Sequence, residues 1–275
     1  MTEINLDRML HAISEGQWSA DELDWSAPMQ GLDQLSALDR RRLAHCLLFV
    51  SGLERLGSEA FRITAEQESD ARAKAIFQLV ALDEDRHADV EVRMAKRLGY
   101  SVQSLPRVVR SLFRLARHDL ATADARTRRL VHENISMQIV LFELGLDSFF
   151  TPLLKERLRD PLHDEVVRRI ELDESRHLAM DYWLLERKGQ AGGFARTSAL
   201  GVILRTFRLR TIVISLLAFV RMRGVLAMLL HESRIPTYRK RVLRIRSKAP
   251  SSVHVPALQY TLRMLGKLDR PPGQA

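Results

Sequence analysis

"LDEDRH" at residues 82–87 returns ninety residues later as "LDESRH" at 172–177, with one letter changed. Both copies lie inside otherwise apolar, helix-forming segments, and in a helix positions three apart lie about 60° apart around the axis. Glu84 therefore points the same way as His87, and Glu174 the same way as His177. Chance is a poor explanation: 17 Glu and 9 His in 275 residues supply roughly half of one Glu-x-x-His. The same face carries Phe77, Val80, Ala81 and Ala88 around the first copy, and Val167, Ile170 and Leu178 around the second. These carboxylates thus face a core, where they cost several kcal/mol unless paired or bound to metal.

Working outward, each copy is preceded by one more acid at a matching distance. Glu54 stands thirty residues before Glu84, and Glu143 thirty-one before Glu174. Two antiparallel helices joined by a short loop bring such positions to similar heights, since the chain runs down one helix and returns along the next. Glu59 and Asp147 are rivals for these places but break the spacing. The three-residue set thus repeats at an offset of 89 to 90 residues, as in an internal duplication.

The surrounding chain predicts an all-α protein. It is 46% apolar with 13 Gly and 9 Pro, and no alternating β-branched runs between turn signals recur. Residues 1–35 read as an amphipathic helix and an arm bearing Trp18 and Trp25. Residues 36–190 read as a four-helix bundle. Its helices start at Ser36, about Asp70, about 124 (interrupted near Pro152) and Asp160-Pro161, with a basic connecting helix opened by Pro106. Beyond the Gly192-Gly193 break, residues 194–275 form a basic helical segment expected to pack on or beside the bundle.

The six residues Glu54, Glu84, His87, Glu143, Glu174 and His177 resemble the ligand set of the ferritin-like di-iron carboxylate superfamily over about residues 36–190. The fuller D-E-x-R-H form is similar to the hydroxylase subunits of bacterial multicomponent monooxygenases and to acyl-carrier-protein desaturases. The resemblance implies two Fe ions, or Fe with Mn, O2 as co-substrate, and oxidase or oxygenase chemistry on an organic substrate that is apolar or carrier-tethered. It further implies that Asp83 and Asp173 hydrogen-bond the far ring nitrogens of the ligand histidines, with Arg86 and Arg176 in the same layer. A homodimer is the expected assembly. The radical type of ribonucleotide reductase small subunit places a Tyr four residues after the first His, where this chain has Glu91; after the second His it has Asp181, with Tyr182 next to it. A four-Cys iron site is excluded by the single cysteine, Cys46, which reads as a small buried hydrophobe. The alternative is a ferroxidase or iron-storage protein, in which the metals are cargo.

Hard carboxylates stabilise oxidised metals, and only two His ligands leave positions open for O2. Small residues beside the first acid, Ser51, Gly57 and Ser58, are expected to leave space for substrate, with Phe61, Phe142, Phe149 and Phe150 as an apolar wall. No flavin or nicotinamide fingerprint occurs, so electrons are expected from a separate reductase. The N-terminus lacks a secretory pattern, so a cytoplasmic protein, with membrane association open, is the expectation.

The net charge of +9 is segregated: residues 196–248 hold 13 Lys or Arg against Glu232, a local +12, leaving about −3 elsewhere. Three readings fit this stretch: a helix packed on the bundle, a membrane-surface helix, or a dock for an acidic carrier protein. The longest uncharged run, Thr211 to Val220, is ten residues, which argues against spanning. No nucleic-acid module is recognisable, and no nucleic-acid partner is expected.

Overall fold

The computed structural model describes residues 5–190 and 205–251, except the side chains of 134–139 and 232. The Gly192-Gly193 boundary and residues 252–275 lie outside the described residues. Among the described residues there is no strand, and the α-helices are α1 (Leu6–Glu15), α2 (Ala37–Gln67), α3 (Ala71–Arg97), α4 (Arg107–Ala121), α5 (Ala125–Gly145), α6 (Thr151–Arg157), α7 (Pro161–Gln190), α8 (Leu209–Leu229) and α9 (Ile235–Lys248). The fold is the expected ferritin-like, all-α bundle, with α2 paired to α3, α5 to α7, and α4 against α2.

The helix starts follow from short polar side chains that accept otherwise orphaned N–H groups. Ser36 Oγ accepts from the Asp39 N–H, Asp70 Oδ1 from Arg72 and Ala73, and Asp124 Oδ1 from Thr127. At the far end of α3 the chain turns at Gly99, whose φ of +88° favours glycine, and the Tyr100 N–H closes back on the Ala95 carbonyl.

The third long helix departs from expectation. Its break is a π-helical turn, Leu146–Phe150, and it comes before Pro152. Proline at the second position of α6 lacks an N–H and is tolerated where a helix begins, so the register change falls upstream of it.

Two apolar layers flank a polar one. One holds Leu43, Leu47 and Val50 of α2, Val90 and Met94 of α3, and Val166 and Val167 of α7. The other holds Phe61 and Ala65 of α2, Phe77 and Val80 of α3, and Met180 and Leu184 of α7, with Ile13 of α1. On α2, α3 and α7 alike, the acids and histidines lie between these layers. Each large apolar side chain buried here contributes about 1.5–3 kcal/mol, which offsets the cost of holding the polar layer in place.

Helix α8 lies on α4 and α2, with Thr211, Ala218, Met222 and Val225 buried, and α9 packs against α5 and α7. By length and composition α8 could cross a membrane, with a mean hydropathy of 2.0 over an 18-residue window that tolerates Arg221 and Arg223. One of its faces is nevertheless committed to the bundle.

Candidate metal centre

All six sequence-derived residues are buried, and they converge from four helices. Glu54 comes from α2, Glu84 and His87 from α3, Glu143 from α5, and Glu174 and His177 from α7. Donor atoms of Glu54, Glu84, His87 and Glu174 lie within 4.8 Å of one another, and so do those of Glu84, Glu143 and His177. Glu84 belongs to both groups. The rivals belong to neither donor group: Glu59 pairs with Arg62 and Arg117, and Asp147 pairs with Arg241 and lines the small cavity beside Glu54 and Glu174.

Each imidazole is held by its far nitrogen, and the holding is crossed. His87 Nε2 lies 3.0 Å from Asp173 Oδ2 of α7, while His177 Nε2 lies 3.1 Å from Asp83 Oδ2 of α3. With carboxylates on Nε2, both rings carry their proton there and present Nδ1 inward. His87 Nδ1 stands 3.3 Å from Glu174 Oε1 and His177 Nδ1 3.1 Å from Glu84 Oε1, without hydrogen-bond alignment in either case.

Both Nδ1 atoms lack a hydrogen-bond partner, as do both carboxyl oxygens of Glu143 and Glu174 and one oxygen each of Glu54 and Glu84. Such a concentration of unsatisfied buried acceptors fits a cation. The charge balance points the same way: four glutamates match two divalent cations with neutral imidazoles, and the set of O and N donors suits Fe or Mn. Asp83 and Asp173 are balanced separately. Arg86 pairs with Asp83 and, at 3.1 Å, with Asp173, and Arg176 pairs with Asp173.

Without a cation, burial favours the protonated form of these glutamates. Burial pushes Glu54, Glu84 and Glu143 well above the ordinary glutamate range; nearby carboxylate charges add to this, while the Glu54 hydrogen bond opposes it at Glu84. Burial alone would lower His87, but Asp173 and Glu174 carry it up to about 9. Burial would raise Asp173, yet His87, Trp18 and Arg86 hold it down to about 2.

The sequence reading missed several participants. Trp18 Nε1 donates to Asp173 Oδ2 at 2.8 Å, and the Trp18 ring is stacked by the guanidiniums of Arg86 and Arg169 at 4.8 and 5.1 Å. Gln17 Nε2 donates to Asp83 Oδ1 at 2.8 Å, and Gln17 Oε1 accepts from Arg86 Nη1. The arm after α1 therefore reaches both aspartates. Gly16 makes this approach feasible, since a Cβ there would sit 2.5 Å from the Arg176 guanidinium. Glu91 and Asp181, four residues after His87 and His177, are buried carboxyls. Burial raises Glu91 well above its usual range and takes Asp181 up to about 7.

The expected substrate space is revised. Gly57 makes room for Glu84, whose Oε2 is 3.1 Å from where a Cβ would stand, and the Ser58 and Ser51 hydroxyls donate to the Ala81 and Leu48 carbonyls. Of the four phenylalanines, Phe150 lines a cavity of about 20 Å³ beside Glu54, Glu91 and Glu174, together with Leu146, Leu154, Val167 and Ile170. Phe61 instead stacks on Phe77 and tilts over His177, Phe149 meets Tyr238, and Phe142 packs in the core. A larger cavity, about 550 Å³, opens between α2, α3 and α4, where Ser51 and Gly52 face Phe113 and Arg114. Cys46 is buried as expected, which pushes its thiol up.

No protein-family profile and no curated sequence matches the chain. Solved structures do. A putative class I ribonucleotide reductase from Bacillus halodurans is 10% identical with a TM-score of 0.55, covering 90% of this chain and 91% of its own. Two variants of an R2-like ligand-binding oxidase with a Mn/Fe cofactor are 15% and 14% identical, with TM-scores of 0.55 and 0.54; each covers 90% of this chain, against 93% and 94% of its own length. At these identities the likeness establishes the fold: the chain has the ferritin-like architecture of R2-like proteins.

Proposed function

We propose that the chain is a non-haem dinuclear-metal enzyme, an O2-dependent oxidase or oxygenase acting on an apolar or carrier-tethered organic substrate. The ligands are Glu54, Glu84, His87, Glu143, Glu174 and His177, and the metals are two Fe, or Mn with Fe as in the structural neighbours. One observation carries the reading: two buried imidazoles, each fixed at Nε2 by the opposite repeat's aspartate, aim unpartnered Nδ1 atoms into one cage of glutamates.

When bound, the metal pair supplies one-electron redox steps and open positions for O2. Glu84 reaches both donor groups. Asp83 and Asp173 keep the ring protons on Nε2, and Arg86 and Arg176 neutralise those aspartates without touching the glutamates. Leu146, Phe150, Leu154 and Ile170 give the cavity beside Glu54 its apolar side, facing the polar Asp147, Thr151 and Glu171. Glu91 lines that cavity, and burial raises its carboxyl well above the usual glutamate range, which favours its protonated form. Electrons come from a separate reductase, and the active assembly is a homodimer.

A second reading, ferroxidase or iron handling, is favoured by the cavity itself, because about 20 Å³ admits one small molecule. Metal analysis of the purified chain separates the readings. About two Fe or Mn per chain that does not rise under iron excess, with reductase-dependent O2 consumption, supports the oxidase; tens of irons or more per assembly supports storage. Absence of both metals sinks the centre altogether.

A further inference from the structure

The outward side of α8 is the largest feature that the metal centre leaves unexplained. Leu209, Val213, Leu216, Leu217, Phe219 and Val220 are 75%, 47%, 66%, 52%, 63% and 61% exposed. At 100° per residue, Leu209, Val213, Leu216 and Val220 fall on one stripe, opposite Thr211, Ala218, Met222 and Val225, which pack into the bundle. A surface helix normally turns charge outward. Here the face opposite the core is as apolar as the face on it.

Charge frames this stripe. Residues 205–230 contain five arginines and no acid. Arg221 and Arg223 are exposed and have no ion pair among the described residues, and α4 alongside presents exposed Arg107, Arg114 and Arg117. Arg208 and Arg210 lie 3.5 and 3.9 Å from Asp119 of α4.

The helix is also pinned lengthwise. Asp119 Oδ2 accepts from the Arg208 N–H at 3.0 Å and from Thr211 Oγ1 at 2.6 Å, capping α8 from the neighbouring helix. With its start capped by α4 and its inner face in the core, α8 meets any planar partner side-on.

We propose that α8 is a membrane-surface anchor, laying its outer stripe into the acyl boundary of a bilayer while its arginines engage anionic headgroups. A second copy of the chain fits less well. A two-fold contact would set arginine rows against each other with no acid in the segment to answer them. An acidic protein would satisfy the arginines but leave the hydrophobic stripe needing its own groove; an anionic bilayer takes both. The inference does not depend on the metal centre.

The test is sedimentation of the full chain with vesicles of phosphatidylcholine, with or without phosphatidylglycerol. The wild type is expected to pellet with the anionic vesicles, at least about tenfold more strongly than with neutral ones, and to release with salt. The triple variant L216S/L217S/V220S loses at least about tenfold in binding to anionic vesicles, and R221Q/R223Q loses most of the anionic preference. Unchanged helicity and metal content report the fold. Should the triple variant fail to fold, V220W in the wild-type background gives a second readout: blue-shifted emission quenched by brominated lipid. Any of four results overturns the proposal: no vesicle binding, equal binding to neutral lipid, resistance to alkaline carbonate (a spanning helix), or a wild-type dimer that the triple variant dissociates.

Discussion

In the α2–α3 pair, Glu54, Glu84 and His87 come from two uninterrupted helices; in the α5–α7 pair, Glu143 is followed within one turn by the π-helical stretch 146–150. The donor groups differ accordingly. Around His87 four residues form one tight donor group, whereas around His177 three do, with Glu174 Oε2 a further 3.8 Å from its Nδ1; Glu84 is common to both groups. The repeated sequence thus presents one tighter and one looser donor group. If a metal pair occupied the cage, the looser group would be the position left more open to an exogenous ligand.

The largest effect tests the shared carboxylate. Glu84→Ala removes most of both metals, whereas Glu143→Ala leaves close to one per chain, held by the four-residue group; metal analysis distinguishes the two. Equal losses would dissolve the asymmetry. Next come the crossed aspartates: Asp83→Asn and Asp173→Asn each weaken metal binding by about 10–100-fold, and competitive chelator titration should place the first loss at the His177 position and the second at the His87 position.

Acidity sharpens the contrast from another side. The raised glutamates and His87 contribute stability to the metal-free chain that is full below their unfolded values and is lost as pH rises through their folded ones. Asp173, held at about 2, contributes in the opposite sense, with stability present above its unfolded value and lost in acid. Thermal melts of the metal-free chain should therefore peak at about pH 4, between the unfolded Asp and Glu values, and fall towards pH 8, by a few degrees for each ~1.4 kcal/mol involved. Metal loading should flatten that fall, since the cations replace the protons. The smallest effect belongs to the arm: Trp18→Phe deletes one buried hydrogen bond to Asp173 and should cost about 1 kcal/mol, or about 2–4 °C.

The convergence of the six residues was legible because they sit on regular helices. A three-residue spacing fixes which way Glu84 and His87 point, and the matched distances to Glu54 and Glu143 follow from helix rise alone. Ser36, Asp70 and Asp160 marked helix starts for the same reason, since a capping side chain acts within its own turn. What escaped was non-local. Trp18 meets Asp173 across 155 residues, and Asp83 serves the histidine 94 residues away, not the one on its own helix. No periodicity encodes such partners. The π-helical turn was likewise hidden, because a register change leaves little trace in composition beyond the nearby proline.

The crossing of the aspartates bears on how the molecule is built in time. The α2–α3 hairpin is local and can form early, yet His87 has no partner for Nε2 until α7 docks, and His177 none until α3 is in place. Neither hairpin can ripen a binding-competent imidazole alone. The cage is therefore the last thing the chain completes, and metal uptake should report final assembly of the bundle, lagging behind the appearance of helix.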